Sequence, residues 1–153
     1  MKRYFAAAIG TLLIAVAVVA QADQDLIGTW KMDASRSRFV SSSDAPVSVV
    51  IKYERAGDLL RETLNVTKGK SLTTRTINYA LDGRELANGT GDDGVTSKII
   101  RKDGAVTLQW TDDGGVFTRT VSVSADGRTL TIAAHDSNPD VKADDLIVFQ
   151  RQG

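Results

Sequence analysis

The sequence predicts an all-β protein: an antiparallel up-and-down β-barrel of about eight to ten strands. Beyond residue 22, apolar and polar residues alternate with period 2, and no long helical periodicity is present. Asp-Gly pairs, which are strong hairpin signals, separate the alternating runs at 82–83, 103–104, 113–114 and 126–127. A meander with one apolar face must cover that face and protect its two edges, and closure into a barrel does both.

The N-terminal residues form a pattern typical of an export signal. Lys2 and Arg3 precede the uncharged run 5–20, and Ala20-Gln21-Ala22 offers the small residues that a signal peptidase accepts. A retained membrane helix is the alternative, but the run is shorter than the roughly 18 to 20 residues a span needs. We therefore expect a cleaved signal peptide over 1–22 and a single domain over 23–153. Because the chain has no cysteine, a bacterial periplasmic or secreted protein is expected.

The strands follow from the alternating runs and the turns between them. They are predicted near 26–33, 47–54, 59–66, 71–81, 84–88, 95–102, 105–111, 116–124, 129–135 and 146–151. Tight turns determine which residues lie opposite each other. Four-residue loops at 55–58 and 67–70 would place Glu62 opposite Ile51 on one side and opposite Arg75 on the other.

The later turns predict a second set of cross-strand neighbours. Trp110 is expected opposite Ser97 and Phe117, and Arg119 opposite Leu108 and Ala134. Apolar residues then share one face, while the other face is rich in threonine, the reverse of what an outer-membrane barrel needs. A β-sandwich remains the structural alternative, although its Greek-key connections are usually longer than these turns.

A short motif adds a family resemblance. Gly28-Thr29-Trp30 resembles the G-x-W start of lipocalins, and with Lys31 it is similar to the opening of many fatty-acid-binding proteins. The resemblance implies a lipocalin-like (calycin) barrel in which Gly28, Trp30 and Arg151 are structural, with Trp30 packed across the closed end beneath Arg151.

Two departures from the fatty-acid-binding proteins stand out. Only residues 34–46 separate the first two strands, which allows a short turn of helix near 35–39 but not a helix-turn-helix lid. Ile147-Val148-Phe149 stand where that family carries an Arg-x-Tyr anchor for the ligand carboxylate. The family's anchor is therefore absent.

The candidate ligand contacts are aromatic and cationic residues in the inward phase of the strands. They are Arg119, Arg75, Tyr53, Tyr79, Trp110 and Phe117. Arg119 has no predicted acidic neighbour, and an unpaired buried guanidinium costs several kcal/mol. It is therefore either hydrated inside a partly wet barrel or an anchor for a ligand. Glu62 is expected to neutralise Arg75 across the strands.

The remaining sequence features argue against catalysis and cofactors. His135, the only histidine, is expected to be an ordinary surface residue, and the acidic stretch 136–145 lacks the ligand spacing of an EF-hand. The glycine-rich segment 89–94 is expected to be a loop at the barrel mouth, because no helix follows that could hold a phosphate. We expect no metal and no cofactor.

The composition also limits the partners. The formal net charge is zero, so nucleic acid and anionic lipid are not expected as partners. We also expect a monomer. The leading hypothesis is an exported lipocalin-like protein that binds a small hydrophobic ligand, in one version with an acidic head, inside the barrel. The alternative is a filled-barrel envelope or interaction module without a small-molecule ligand. An enzyme is least favoured.

Overall fold

A computed structural model of the chain describes residues 24–40, 45–88, 94–103, 105–113, 115–136 and 144–153. The predicted leader 1–22 and most of the predicted mouth loop, 89–93, lie outside the described residues. Within the described part of the chain, no helix is long and apolar enough to span a membrane.

The described residues form ten β-strands, in close agreement with the predicted ranges. They are β1 (Gly28–Met32), β2 (Ser48–Ala56), β3 (Leu59–Lys68), β4 (Ser71–Ala80), β5 (Leu86–Ala87), β6 (Thr96–Lys102), β7 (Ala105–Asp112), β8 (Gly115–Val123), β9 (Thr129–Asp136) and β10 (Asp144–Arg151).

The strands form one antiparallel sheet in the order β4-β3-β2-β1-β10-β9-β8-β7-β6-β5. Its two ends come together, so the sheet is a nearly closed barrel, and the predicted fold class is confirmed. At the seam, side chains replace the strand ladder: Asn88 Nδ2 donates to the Asn78 carbonyl at 3.0 Å and to Ser97 Oγ at 2.6 Å. Ser97 Oγ donates to the same carbonyl.

The predicted registers are correct in the second half of the barrel and wrong by two residues in the first half. Trp110 lies opposite Ser97 and Phe117, as predicted. Between β2 and β3, however, Ile51 lies opposite Leu64. Gly57 adopts a φ of 64°, which allows a two-residue turn where a four-residue loop was predicted. A shift of two residues keeps every side chain on its predicted face.

The same correction applies to the hairpin of β3 and β4. Gly69, with a φ of 56°, tightens that turn as well. Glu62 therefore lies opposite Ile77, and Arg75 lies opposite Leu64. The predicted Glu62–Arg75 cross-strand pair is wrong for this reason.

The segment between β1 and β2 also differs from its prediction. A single turn occupies 34–36, where Arg36 N donates to the Asp33 carbonyl at 3.3 Å. The chain then extends, and Arg38 forms an isolated bridge with Leu146. The helical turn expected near 35–39 is wrong, because this backbone pairs with β10 instead.

The hairpins divide between the two ends of the barrel. Hairpins β2–β3, β6–β7 and β8–β9 lie at the end where Leu26 and Trp30 are fully buried, which we call the closed end. Hairpins β3–β4 and β7–β8 lie at the opposite end, which we call the mouth end.

Candidate functional site

The closed end is held by Arg151 on β10, which lies over Trp30 on β1. The Arg151 guanidinium carbon lies 4.2 Å from the centroid of the Trp30 ring. Its three nitrogens donate to the carbonyls of Gly127, Ile27 and Asp25 at 2.6 to 2.7 Å. One side chain thus ties residues 25–27, which precede β1, to the β8–β9 turn and covers the indole by a cation–π contact.

Two neighbours complete this arrangement. Trp30 Nε1 donates to the Leu26 carbonyl at 2.8 Å, so the buried indole is satisfied. Gly28 has a φ of 142°, and a Cβ there would lie 2.6 Å from Arg151 Nη1. The close approach of the guanidinium therefore requires glycine at this position.

Above the closed end, the interior is filled by large side chains. Eight of those that are less than 2% exposed are Trp30, Tyr53, Tyr79, Phe149, Leu60, Leu108, Leu130 and Ile132. These side chains account for the tight packing of the barrel interior.

A buried ion pair crosses the interior from β3 to β8. Arg119 Nη1 donates to Glu62 Oε1, and the Glu62 side chain is 1% exposed against 13% for Arg119. Tyr53 on β2 donates from Oη to the second Glu62 oxygen at 3.0 Å. Burial is the largest single influence and lowers the pKa of Arg119, but attraction to Glu62, Tyr79 and Tyr53 and the hydrogen bond to Glu62 together outweigh it, so the net pKa is raised. The guanidinium is therefore charged throughout the physiological range.

Trp110 on β7 lies under two arginine side chains. The guanidinium carbons of Arg119 and Arg75 lie 4.4 Å and 5.2 Å from its ring centroid. Phe117 on β8 stacks on the indole at 5.1 Å between centroids, with an interplanar angle of 8°. Arg75 also forms an ion pair, in which its Nη2 lies 3.4 Å from Asp112 Oδ2. The indole links the buried ion pair to the more exposed pair Arg75–Asp112.

Two polar atoms in this region are buried without a hydrogen-bond partner among the residues that the structure describes. They are Tyr79 Oη and Trp110 Nε1. Tyr79 has no exposed surface, and Trp110 is 6% exposed. Burial, followed by repulsion from Glu62, raises the pKa of Tyr79 well above its usual value, while Arg119 and Arg75 offset this in part. The Tyr79 hydroxyl is therefore neutral and lies within electrostatic reach of both arginines.

Toward the mouth end, the inward-facing apolar side chains are covered less completely. Leu64, Val66 and Phe117 are only partly buried, although they pack against the core. The Arg75 side chain is 37% exposed and that of Asp112 is 27% exposed. The candidate ligand site consists of these partly buried side chains and the two beside them: Leu64, Val66, Arg75, Asp112, Phe117, Trp110 and Arg119.

The structure brings four of the six predicted ligand contacts into one cluster, and it corrects the expectation about the neighbours of Arg119. Arg75, Trp110, Phe117 and Arg119 form one connected cluster. The expectation that Arg119 has no acidic neighbour is wrong, because Glu62 lies against it across the barrel. Tyr53 and Tyr79 are fully buried, and Tyr53 is connected to Arg119 through Glu62.

Sequence reasoning missed two acidic partners, Asp112 for Arg75 and Glu62 for Arg119. Glu62 was noticed as an inward charge but was assigned to the wrong arginine. Asp112 stands at a turn, where a carboxylate is ordinarily solvated, so its type and position gave no reason to single it out.

His135 pairs with an acidic residue on the neighbouring strand. Its Nδ1 lies 2.7 Å from Asp144 Oδ1, and the two side chains are 62% and 82% exposed. Across the described residues, no group of three or more histidine or acidic side chains is arranged to hold a metal ion. Residues 137–143 of the acidic stretch lie outside the described residues.

A surface cleft of about 360 Å³ lies on the outside of the closed end. It is bounded by Asp25 and Leu26, the β6–β7 hairpin and the last residues of β8. This cleft lies away from the cluster around Trp110, and none of its lining residues belongs to the candidate ligand site.

No protein-family model matches the chain, and no curated protein matches it in sequence. Solved structures do match. A secretory abundant heat soluble protein from Ramazzottius varieornatus is 13% identical over 84% of this chain and 96% of that one, with a TM-score of 0.59. A fatty acid transporter is 13% identical over 85% and 98%, with the same TM-score.

A third match is a Schistosoma mansoni fatty acid binding protein in complex with arachidonic acid. It is 15% identical over 86% of this chain and 99% of that one, with a TM-score of 0.54. These neighbours share the barrel with this chain. The resemblance to the fatty-acid-binding-protein and related calycin barrels is thereby confirmed at the level of the fold.

Proposed function

We propose that the protein is a carrier that binds a small, mostly apolar molecule inside its barrel. The observation that carries the proposal is the polar cluster in the interior. It holds a buried ion pair and two donors, Tyr79 Oη and Trp110 Nε1, that have no hydrogen-bond partner among the residues that the structure describes. Two structural neighbours support it, since one is described as a fatty acid transporter and another holds arachidonic acid.

The energetics of the cluster favour a carrier over a barrel filled for stability alone. Replacing a buried ion pair with apolar residues is often neutral or stabilising by about 1 to 4 kcal/mol. A buried polar atom without a partner costs about 1 to 3 kcal/mol. Unfavourable terms of this kind concentrate at functional sites, where a ligand can supply the missing contacts.

The apolar body of the ligand would lie against the partly buried side chains of the mouth end. Leu64 and Phe117 offer apolar surface next to Arg75 and Trp110. Contact with such surface is worth about 0.8 kcal/mol for each methylene group removed from water. A ligand with an apolar chain and one polar end fits this combination of surfaces.

A matched pair of variants tests the proposal. We expect the wild type to bind the uncharged fluorescent probe N-phenyl-1-naphthylamine. Leu64→Ser removes apolar surface from the candidate site and should weaken binding about tenfold, or about 1.4 kcal/mol. Leu72→Ser makes the same change on the outer face, where Leu72 is 66% exposed, and should leave the affinity unchanged. Equal affinities in the three proteins would contradict the proposed site.

Native mass spectrometry of the purified protein separates the carrier from the filled-barrel module. A co-purified small molecule supports the carrier. A clean apo mass, together with no binding of the probe by folded protein, would favour an interaction module whose interior is packed throughout.

The polar end of the ligand would meet Arg119 and Arg75. The sequence pointed to an acidic head because Arg119 was expected to be unpaired. With Glu62 in contact with Arg119, the choice between an acidic and an uncharged polar end depends on the charge balance of the site.

We also propose that the protein is exported, on the basis of Lys2, Arg3, the apolar run and the Ala20-Gln21-Ala22 site. Expressed with its leader in a Gram-negative host, it should appear in the periplasmic fraction with Asp23 as its first residue. Full-length protein in the membrane fraction would overturn this part of the proposal.

A further inference from the structure

The cations of the candidate site already have acidic partners. Arg119 is paired with Glu62 in the interior, and Arg75 lies 3.4 Å from Asp112 nearer the mouth end. Each pair is neutral as a unit. The site therefore presents two dipoles, and it offers an arriving anion no guanidinium without a carboxylate beside it.

The carboxylate of Glu62 cannot easily move away from this arrangement. It is 1% exposed, and it accepts hydrogen bonds from both Arg119 and Tyr53. Its negative charge is thus a fixed feature of the interior. A second carboxylate brought to Arg119 would lose its hydration and would face this charge at short range.

The two unpartnered groups are uncharged donors. The indole N–H of Trp110 can only donate, and the neutral hydroxyl of Tyr79 can donate as well. Trp110 touches Arg119 and Arg75 directly. An uncharged oxygen could accept from these donors and from the positive end of the Arg119–Glu62 dipole, without carrying a charge out of water.

We infer that the polar end of the ligand is an uncharged hydrogen-bond acceptor, such as an ester, carbonyl or hydroxyl oxygen, and not a carboxylate. This inference rests on the proposed carrier function and specifies the class of molecule that the carrier takes. It distinguishes this chain from a fatty acid binder by the charge balance of its own site.

Three competitors of equal chain length test the inference. Dodecanoic acid, dodecanol and methyl dodecanoate are each used to displace N-phenyl-1-naphthylamine from the wild type at neutral pH. We expect the alcohol and the ester to bind at least about tenfold more tightly than the ionised acid. Tighter binding of the acid would overturn the inference.

Charge variants of the ion pair provide the second arm. Glu62→Gln leaves a net positive charge and should raise the affinity for the acid, relative to the ester, about tenfold. Arg119→Gln leaves a net negative charge and should lower that ratio. The double variant is neutral again and should return to the wild-type preference. Glu54→Gln, on the outer face beside Lys52, is the matched control and should change nothing.

The outcomes separate the two proposals. If the folded wild type binds neither the probe nor any competitor, the carrier function fails and this inference fails with it. Two outcomes would leave the carrier function intact but contradict the uncharged polar end of the ligand. In one, the wild type binds the probe but prefers the acid; in the other, the ratio of the affinities for acid and ester is the same in all variants. Circular dichroism identifies any variant that does not fold, and the wild-type ranking alone then decides.

Discussion

Two buried tyrosines allow a sharp test of the polar cluster. Tyr53 and Tyr79 both have no exposed surface. They differ in one respect: the Tyr53 hydroxyl donates to Glu62 at 3.0 Å, whereas the Tyr79 hydroxyl has no hydrogen-bond partner among the described residues. Changing each to phenylalanine removes the same single oxygen atom from two comparably buried rings.

The two substitutions should change the free energy of unfolding in opposite directions. Tyr53→Phe loses a hydrogen bond to a charged acceptor, which is worth about 1.5 to 3 kcal/mol, so the variant should be destabilised by that amount. Tyr79→Phe removes a hydroxyl that was desolvated without compensation, a cost of about 1 to 3 kcal/mol. The second variant should therefore be as stable as the wild type or more stable.

Urea unfolding followed by far-ultraviolet circular dichroism gives both values. The slope of the unfolding free energy against urea concentration should stay constant, because neither change alters the surface exposed on unfolding, and the midpoints should move in opposite directions. Equal losses in the two variants would refute the argument, since they would mean that Tyr79 has a bound water or another partner.

Three further predictions concern the closed end and the buried tyrosines. Trp30→Ala should lower the urea-derived unfolding free energy by about 3 to 5 kcal/mol, as large core truncations do. In the same assay, Gly28→Ala should cost about 1 to 3 kcal/mol, because it strains the backbone and pushes against Arg151. Burial, and then repulsion from Glu62, raises the pKa values of Tyr53 and Tyr79. Since the unfolded state loses these protons first, stability should fall above about pH 10 by about 1.4 kcal/mol per pH unit for each tyrosine, and absorbance titration should show them ionising only on unfolding.

Local turn chemistry explains how much of the fold could be predicted. The Asp-Gly pairs at 103–104 and 126–127 predicted the correct registers, because the alternating runs on either side of each pair show how long the connection must be. Gly57 and Gly69 lie within longer polar stretches, and the sequence does not reveal that their positive φ angles close two-residue turns. The error moved partners by two residues but preserved the inward face.

The candidate site could be predicted only in part, because its key contact joins strands that are not neighbours. Turn-based register relates each residue to the adjacent strands alone. Glu62 on β3 and Arg119 on β8 meet only because the barrel closes. The sequence did contain one signal for this contact. Glu62 and Arg119 are inward charges of opposite sign, and neither has an oppositely charged partner on a neighbouring strand in the correct register. Matching them required the curvature of the whole sheet, which no local pattern contains.

The placement of the polar residues follows from how stability is distributed along the barrel. Arg151 satisfies three carbonyls and covers Trp30 at the closed end, where the interior is filled. Favourable packing there can offset the cost of burying Glu62 and Arg119. The polar pair cannot be explained as the source of the fold, because a well-packed apolar replacement would serve stability at least as well. The proposed carrier function would explain its presence, because the pair would then lie against the polar end of the ligand.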